Sequence, residues 1–170
     1  AHYSFKKFGP LGIKVHGGGL LLENDTEIEH IDKAFKGGVR IIGEVGIGSL
    51  KDPKRAGELS SYARDLGMVV HMHCGATSDR GAGGEKHPYF SADDVLTVGP
   101  SIASHANSFV SLSDEDVDLV CDHKEGPPFI EVVQAGGVRS MLRVVERLMD
   151  RGDIDRLLIG TDTPTGYGVT

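Results

Sequence analysis

The sequence predicts an α/β protein in which six βα units build a parallel sheet, the larger part of a TIM-type (β/α)8 barrel. Three observations predict it. Apolar, β-rich runs recur along the 170 residues, each ends on a polar residue beside glycine or another small residue, and helical patterns fill the gaps. The runs are Gly12–His16, Arg40–Glu44, Met68–His73, Ser101–His105, Phe129–Gln134 and Arg156–Asp162, and their last residues stand 28, 29, 32, 29 and 28 positions apart. That step matches one strand plus the helix that returns the chain to the next parallel strand.

The helices follow in order. Thr26 and Glu29 form a capping box, Ile28, Ile31 and Phe35 make an apolar stripe, and Gly37-Gly38 stops the first helix. Asp52-Pro53 starts the second, with proline at the first helical position, and Gly67 ends it. A short segment follows Ala92. Ser113 opens the next helix, which carries Val117 and Val120 and stops before Gly126-Pro127. The last runs over 138–151 with Met141, Leu142, Val145, Leu148 and Met149 as its stripe, and Gly152 closes it. Residues 75–91 have no periodicity and read as a long loop after the His73 strand.

A parallel sheet of this kind is either an open doubly wound sheet or a barrel. No Gly-x-Gly-x-x-Gly opens a helix after the first strand. Gly46-Ile-Gly48 lacks the third glycine, Gly17-Gly18-Gly19 runs into Leu20-Leu21-Leu22, and a Walker-type phosphate loop is absent. The polar strand ends favour the barrel, because its parallel strands gather their carboxyl ends on the face where barrel enzymes build their sites. Six units are about three quarters of an eight-unit barrel, so residues 1–170 are expected to be a single catalytic-barrel fragment.

Composition narrows the partners. With 39% apolar and 25% charged residues the chain is neither disordered nor a membrane protein, and no apolar run nears the ~18 residues a bilayer span needs. A formal charge of −7 argues against nucleic acid. Two cysteines, Cys74 and Cys121, are too few for a disulfide framework and no leader pattern starts at Ala1, so a cytoplasmic protein with reduced thiols is expected. Twenty-four glycines, about twice the ~7% average, imply many tight turns.

Glu44, His73, His105 and Asp162 stand in register at the strand ends. One Glu, two His and one Asp converging from four strands suit Zn²⁺ or Fe²⁺, or a metal pair. Each residue alone has a plainer reading. A strand-end histidine is commonly a hydrogen-bonded structural group, and Asp162 before Thr163-Pro164-Thr165-Gly166 can cap a turn. Glu44 is different, since a carboxylate in an apolar strand needs a cation or strong donors. His71 and His73 share a face; His73 is read as the ligand and His71 as one layer deeper. His16 ends its strand at the same mouth and is assigned to substrate contact, with Lys14 in an ion pair or a substrate contact. His2, His30, His87 and His123 are expected to be solvated. Cys74 beside His73 and Ser104 beside His105 are not read as nucleophiles, because successive strand residues point to opposite faces. The run Asp114-Glu115-Asp116-Asp118 fits a helix N-terminus.

At these residues the sequence resembles the metal-dependent amidohydrolases, and within them the enamidase branch that opens cyclic enamides. Lys14-Val-His-Gly-Gly18, Gly43-Glu-Val-Gly46, Met72-His73, Ser104-His105, Val133-Gln134 and Asp162-x-Pro-x-Gly166 look like that family's third, fourth, fifth, sixth, seventh and eighth strands. The resemblance implies that Glu44 bridges two divalent metal ions, zinc or iron, that His73 and His105 hold one, and that Asp162 binds the other and shuttles the proton. It also implies hydrolysis of a cyclic amide such as a 6-oxo-tetrahydronicotinate by a hydroxide between the metals, with His16, Lys14 and Gln134 on the substrate and Lys14 or Arg80 meeting its charge. The family's first-strand His-x-His, first two strands and β-sandwich have no counterpart here. Expected partners are therefore a small-molecule substrate and either further copies of the chain or the remainder of the same enzyme. A lactonase or phosphotriesterase-like hydrolase, or a non-catalytic α/β fragment, is the alternative.

Overall fold

β-Branched runs bounded by glycine become parallel strands when each is followed by a helix that crosses back over the sheet. The computed structural model describes residues 18–46, 49–76, 88–108 and 110–162. Among them, one six-stranded sheet runs in chain order: β1 (Gly18–Leu20), β2 (Ile41–Val45), β3 (Val69–His73), β4 (Ile102–Ser104), β5 (Phe129–Val133) and β6 (Leu157–Gly160). Every neighbouring pair is parallel. The helices are α1 (Ile28–Lys36), α2 (Pro53–Asp65), α3 (Ala92–Val98), α4 (Asp114–Asp122) and α5 (Val138–Arg151), with a 3-10 turn at Ile154–Arg156.

Most helix boundaries follow the capping chemistry. The Asp52 side chain accepts the Lys54 N–H ahead of Pro53, Ser91 and Asp94 form a capping box, and Ser113 accepts the Asp116 N–H. Gly152 ends α5 in the left-handed conformation at φ +72°. At α1 the sequence reading is corrected. Thr26 Oγ1 accepts the Glu23 N–H at 2.8 Å in the preceding turn, and the capping box is formed by Glu27 and His30 instead. His30, expected only to be solvated, accepts the Glu27 N–H through Nδ1.

One apolar layer joins sheet and helices. Ile42, Val45, Val70, Met72, Ala103, Ile130 and Val132 face Ile31, Leu59, Ala63, Val95, Val98, Val117, Val120, Val144 and Leu148, all buried in a single cluster. The other side of the sheet, which carries Val69, His71, His73, Phe129 and Glu131, is more open, with Val69 37% and Phe129 46% exposed. On β6, Ile159 is 83% exposed, so the helix layer stops short of this strand among the described residues. β1 and β6 each have one sheet neighbour there.

Other expectations change in detail. The Gly12–His16 run lies outside the described residues; the first described strand is Gly18–Leu20, within the glycine–leucine run. In α5, Leu142 and Met149 are exposed while Val144 is buried, so the stripe is rotated from the expected one. The long loop after β3 is clipped where it is described, by antiparallel bridges from Gly75 to Phe90 and from Ala76 to Val110. Buried Asn107 makes a similar substitution for sheet pairing. Its amide accepts the Val133 N–H at 2.8 Å and donates to the Val133 carbonyl at 3.0 Å, beyond the end of β4.

Candidate metal centre

Three strand ends meet at the carboxyl rim of the sheet. Glu44 Oε1 accepts a hydrogen bond from His105 Nε2 at 2.9 Å, and its other oxygen lies 3.5 Å from His73 Nδ1, too long for a well-formed bond. The two imidazole rings sit edge to face with centroids 4.4 Å apart. One ligand atom from each of Glu44, His73 and His105 lies within 4.8 Å of the others. Both histidines are 3% exposed.

Two backbone irregularities bring these groups to one face. On β2, Ile42 pairs with Val70 and Val45 with Met72, so two residues, Gly43 and Glu44, stand against the single residue His71. This is a β-bulge, and it resets the alternation so that Ile42 and Val45 both pack into the core while Glu44 meets the histidines. At the end of β4, His105 has φ +38°, left-handed for a non-glycine residue. Ser104 bonds His71 Nδ1 at 3.2 Å and His105 reaches Glu44, so both side chains lie on the same side. The rule of opposite faces, used in the sequence reading to separate Ser104 from His105, therefore fails here. His71, expected one layer deeper in the core, is only half-buried and more open than His73, because the sheet side that carries it is not covered by the helices.

Electrostatics follow from the crowding. Burial works to raise the Glu44 pKa, but the His105 hydrogen bond and the close approach of the His73 ring outweigh it and hold the carboxyl at about 2. Burial also pushes both imidazoles toward the neutral form. For His73 it wins, helped by the neighbouring His105, and the pKa falls. For His105 the bond and charge of Glu44 prevail and the pKa rises. The donor set passes a direct test for a cation. Nδ1 of His73 and of His105 are both buried without a hydrogen-bond partner among the described residues, which is costly for a polar atom unless something else binds there. Two imidazoles and a carboxylate are donors suited to zinc or ferrous iron.

The other expected site residues fall as follows. Asp162, two residues past β6, also has a left-handed backbone, with φ +53°, and its charge acts on both His73 and His105. Gln134 is exposed just beyond β5, its N–H bonded to the Gly160 carbonyl at 3.1 Å. Lys14, His16, Arg80, His87 and the 163–166 turn lie outside the described residues. Cys74 is fully buried, and burial drives its thiol pKa far up, as expected of a core residue. Two neighbours escaped the sequence reading. Phe90 stands edge-on to His73 at 6.3 Å and packs where a side chain on Gly46 would be. Glu131 on β5 accepts the His105 N–H at 3.2 Å. Glu131 had a signal, a carboxylate within an apolar strand, which is the reasoning that singled out Glu44.

Fold and site together define a class: six parallel βα units, part of a (β/α)8 barrel, with an acid and two imidazoles converging at the carboxyl rim. The chain is a homologue of enamidase. Enamidase from Eubacterium barkeri is 34% identical over 167 residues, which are 98% of this chain and 42% of that protein. The crystal structure of enamidase, described as a new member of the amidohydrolase superfamily, matches with a TM-score of 0.83 over 99% of this chain and 42% of that one. The chain thus spans less than half the length of the curated relative it matches. A phospho-2-dehydro-3-deoxyheptonate aldolase from Thermotoga maritima covers 89% of this chain and 43% of its own at 13% identity and a TM-score of 0.45, too remote a likeness to inform the site. No protein-family model matches the chain. Among the described residues no helix is long and apolar enough to cross a membrane.

Proposed function

We propose that this chain is the metal-binding part of a hydrolase that cleaves the C–N bond of a cyclic amide or enamide, of the 6-oxo-tetrahydronicotinate type. The observation that carries the reading is Glu44 poised between two buried imidazoles, at 2.9 and 3.5 Å, in a homologue of enamidase. In this reading Glu44, His73, His105 and Asp162 hold two divalent ions, zinc or iron. When bound, such ions polarise an amide carbonyl and make water acidic enough to lose a proton near neutral pH.

The chain's own residues have separate tasks. Glu44 stays ionised and supplies the negative charge, while His73, kept neutral by burial, offers a lone pair. Asp162 is assigned the proton transfer, taking a proton from water and giving it to the ring nitrogen as the C–N bond breaks. The oxygen of water ends on the carbonyl carbon. Phe90, 5% exposed, covers one side of His73 and keeps water from it. Gln134, at the exposed end of β5, is assigned to the substrate together with His16 and Lys14.

The same reading makes residues 1–170 a catalytic-barrel fragment, completed by the remainder of the same enzyme or by further copies of this chain. The relative's greater length supports it, as does the single sheet neighbour that β1 and β6 each have among the described residues. A cytoplasmic setting is part of this reading too, supported by two buried, unpaired cysteines. The test is metal analysis of the full-length protein followed by assays on a cyclic enamide, a lactone and a phosphotriester. Bound zinc or iron with fastest turnover of the enamide is expected, and Asp162→Asn should lower that turnover at least about a hundredfold. Faster lactone hydrolysis would favour the esterase alternative, and a metal-free, inactive protein would refute both.

A further inference from the structure

His105 reaches Glu44 only because its backbone adopts φ +38°, a conformation that costs a non-glycine residue free energy and persists only when its surroundings enforce it. The His105 carbonyl accepts the Ser108 N–H at 2.7 Å, and both N–H groups of the 105–106 segment are held by a single residue of the next strand. Glu131 Oε2 accepts the His105 N–H at 3.2 Å, and the Glu131 carbonyl accepts the next N–H, of Ala106, at 2.8 Å. The neighbouring strand makes room for this carboxylate, since a Cβ on Gly160 would lie 2.4 Å from Glu131 Oε1. Glu131 thus occupies a slot between the His105 turn and β6.

We infer that Glu131 is a positioning residue: by clasping the 105–106 backbone it holds the His105 ring among the ligands, although it is not a ligand itself. Without the carboxylate the His105 N–H loses its partner, while the Ala106 N–H keeps the Glu131 carbonyl, and residue 105 relaxes toward ordinary strand geometry, whose alternation turns it away from Ser104's side. This inference rests on the metal reading of the site, but its backbone geometry does not.

The test is cobalt(II) binding to the full-length protein, followed by chelator competition and by the visible absorption of the bound ion. Glu131→Ala should weaken cobalt binding about tenfold to a hundredfold and alter the spectrum. Glu131→Gln, whose amide oxygen can still accept the N–H, should restore both. Gly160→Ala displaces the carboxylate while leaving the acid in the chain, and should copy Glu131→Ala with an unchanged circular dichroism spectrum. Wild-type affinity and spectrum in Glu131→Ala would overturn the proposal, as would an equal loss in Glu131→Gln. If the wild type itself takes no cobalt, the metal reading fails, and the clasp is then read in the metal-free protein by NMR of ¹⁵N-labelled histidines. Loss of the His105–Glu44 hydrogen-bond signature in Glu131→Ala, with retention in Glu131→Gln, supports the clasp; no change refutes it.

Discussion

Two arrays of opposite charge organise this molecule, and they are built on contrary principles. On the helical flank, Asp114, Asp118 and Asp122 of α4 face Arg139, Arg143, Arg147 and Arg151 of α5 in a ladder of ion pairs. The residues repeat every four positions on regular helix, most are partly exposed, and the acids meet arginines along the whole ladder. At the rim, Glu44, His73 and His105 are held by a bulge and a left-handed residue, and two buried ring nitrogens have no partner among the described residues. The ladder leaves Asp118 Oδ1 and Arg143 Nε buried without a hydrogen bond among the described residues, but each belongs to an ion pair on regular helix, and the array explains itself as structure. The rim adds backbone strain to unbonded imidazole nitrogens beside an ionised carboxylate, and that combination calls for a ligand, because strain is a cost that packing alone does not offset.

That contrast can be broken at the rim first. Glu44→Gln removes the shared charge, and its zinc affinity, measured by chelator competition, should fall more than about a hundredfold, beyond the usual effect of a residue outside the ligand set. Unchanged zinc content would reduce the rim to a second structural array. Acidification should act in the same direction. Protons compete with a cation for imidazole, and His105 is held above the ordinary histidine value by Glu44, so zinc retention across a pH series should fall on acidification, with His105 the first of the two imidazoles to be protonated. His73, pushed below that value, should resist protonation until lower pH.

Asn107 sharpens the comparison from the structural side, being a buried polar group whose bonds are made. Asn107→Ala leaves the Val133 N–H unpaired, while the Val133 carbonyl keeps the Gly136 N–H at 3.1 Å, and should destabilise the fold by about 2 kcal/mol in urea denaturation. The smallest effect belongs to the flank. Arg147→Ala should cost less than about 1 kcal/mol, and the difference should shrink in ~1 M salt. A large, salt-independent loss would mean that the ladder is not the solvated structure described.

What could be read in advance follows the same division. The βα pulse was legible because each strand buries a β-branched run and each helix announces its ends, as at Asp52-Pro53, Ser113 and Gly152. The convergence of positions 44, 73 and 105 was legible from their spacing. How they converge was not. Alternation counted from Ile42 turns Glu44 toward the helices, and only the extra residue in β2 reverses it. Alternation counted from Ser104 likewise misplaces His105, whose left-handed turn depends on Glu131 across the sheet, a contact between residues 26 apart. The Asp–Arg ladder stands in four-residue steps at 114, 118, 122 and 139, 143, 147, 151, but from sequence the acids fit only a helix N-terminus, since pairing them needs to know that α4 and α5 are neighbours.

The two short bridges beyond β3 have a consequence of their own. Gly75 is tied to Phe90 and Ala76 to Val110, and Phe90 then leans on His73, so one aromatic ring belongs both to a backbone clip and to the wall of a ligand. Any loosening of that clip is therefore passed directly to an imidazole at the rim.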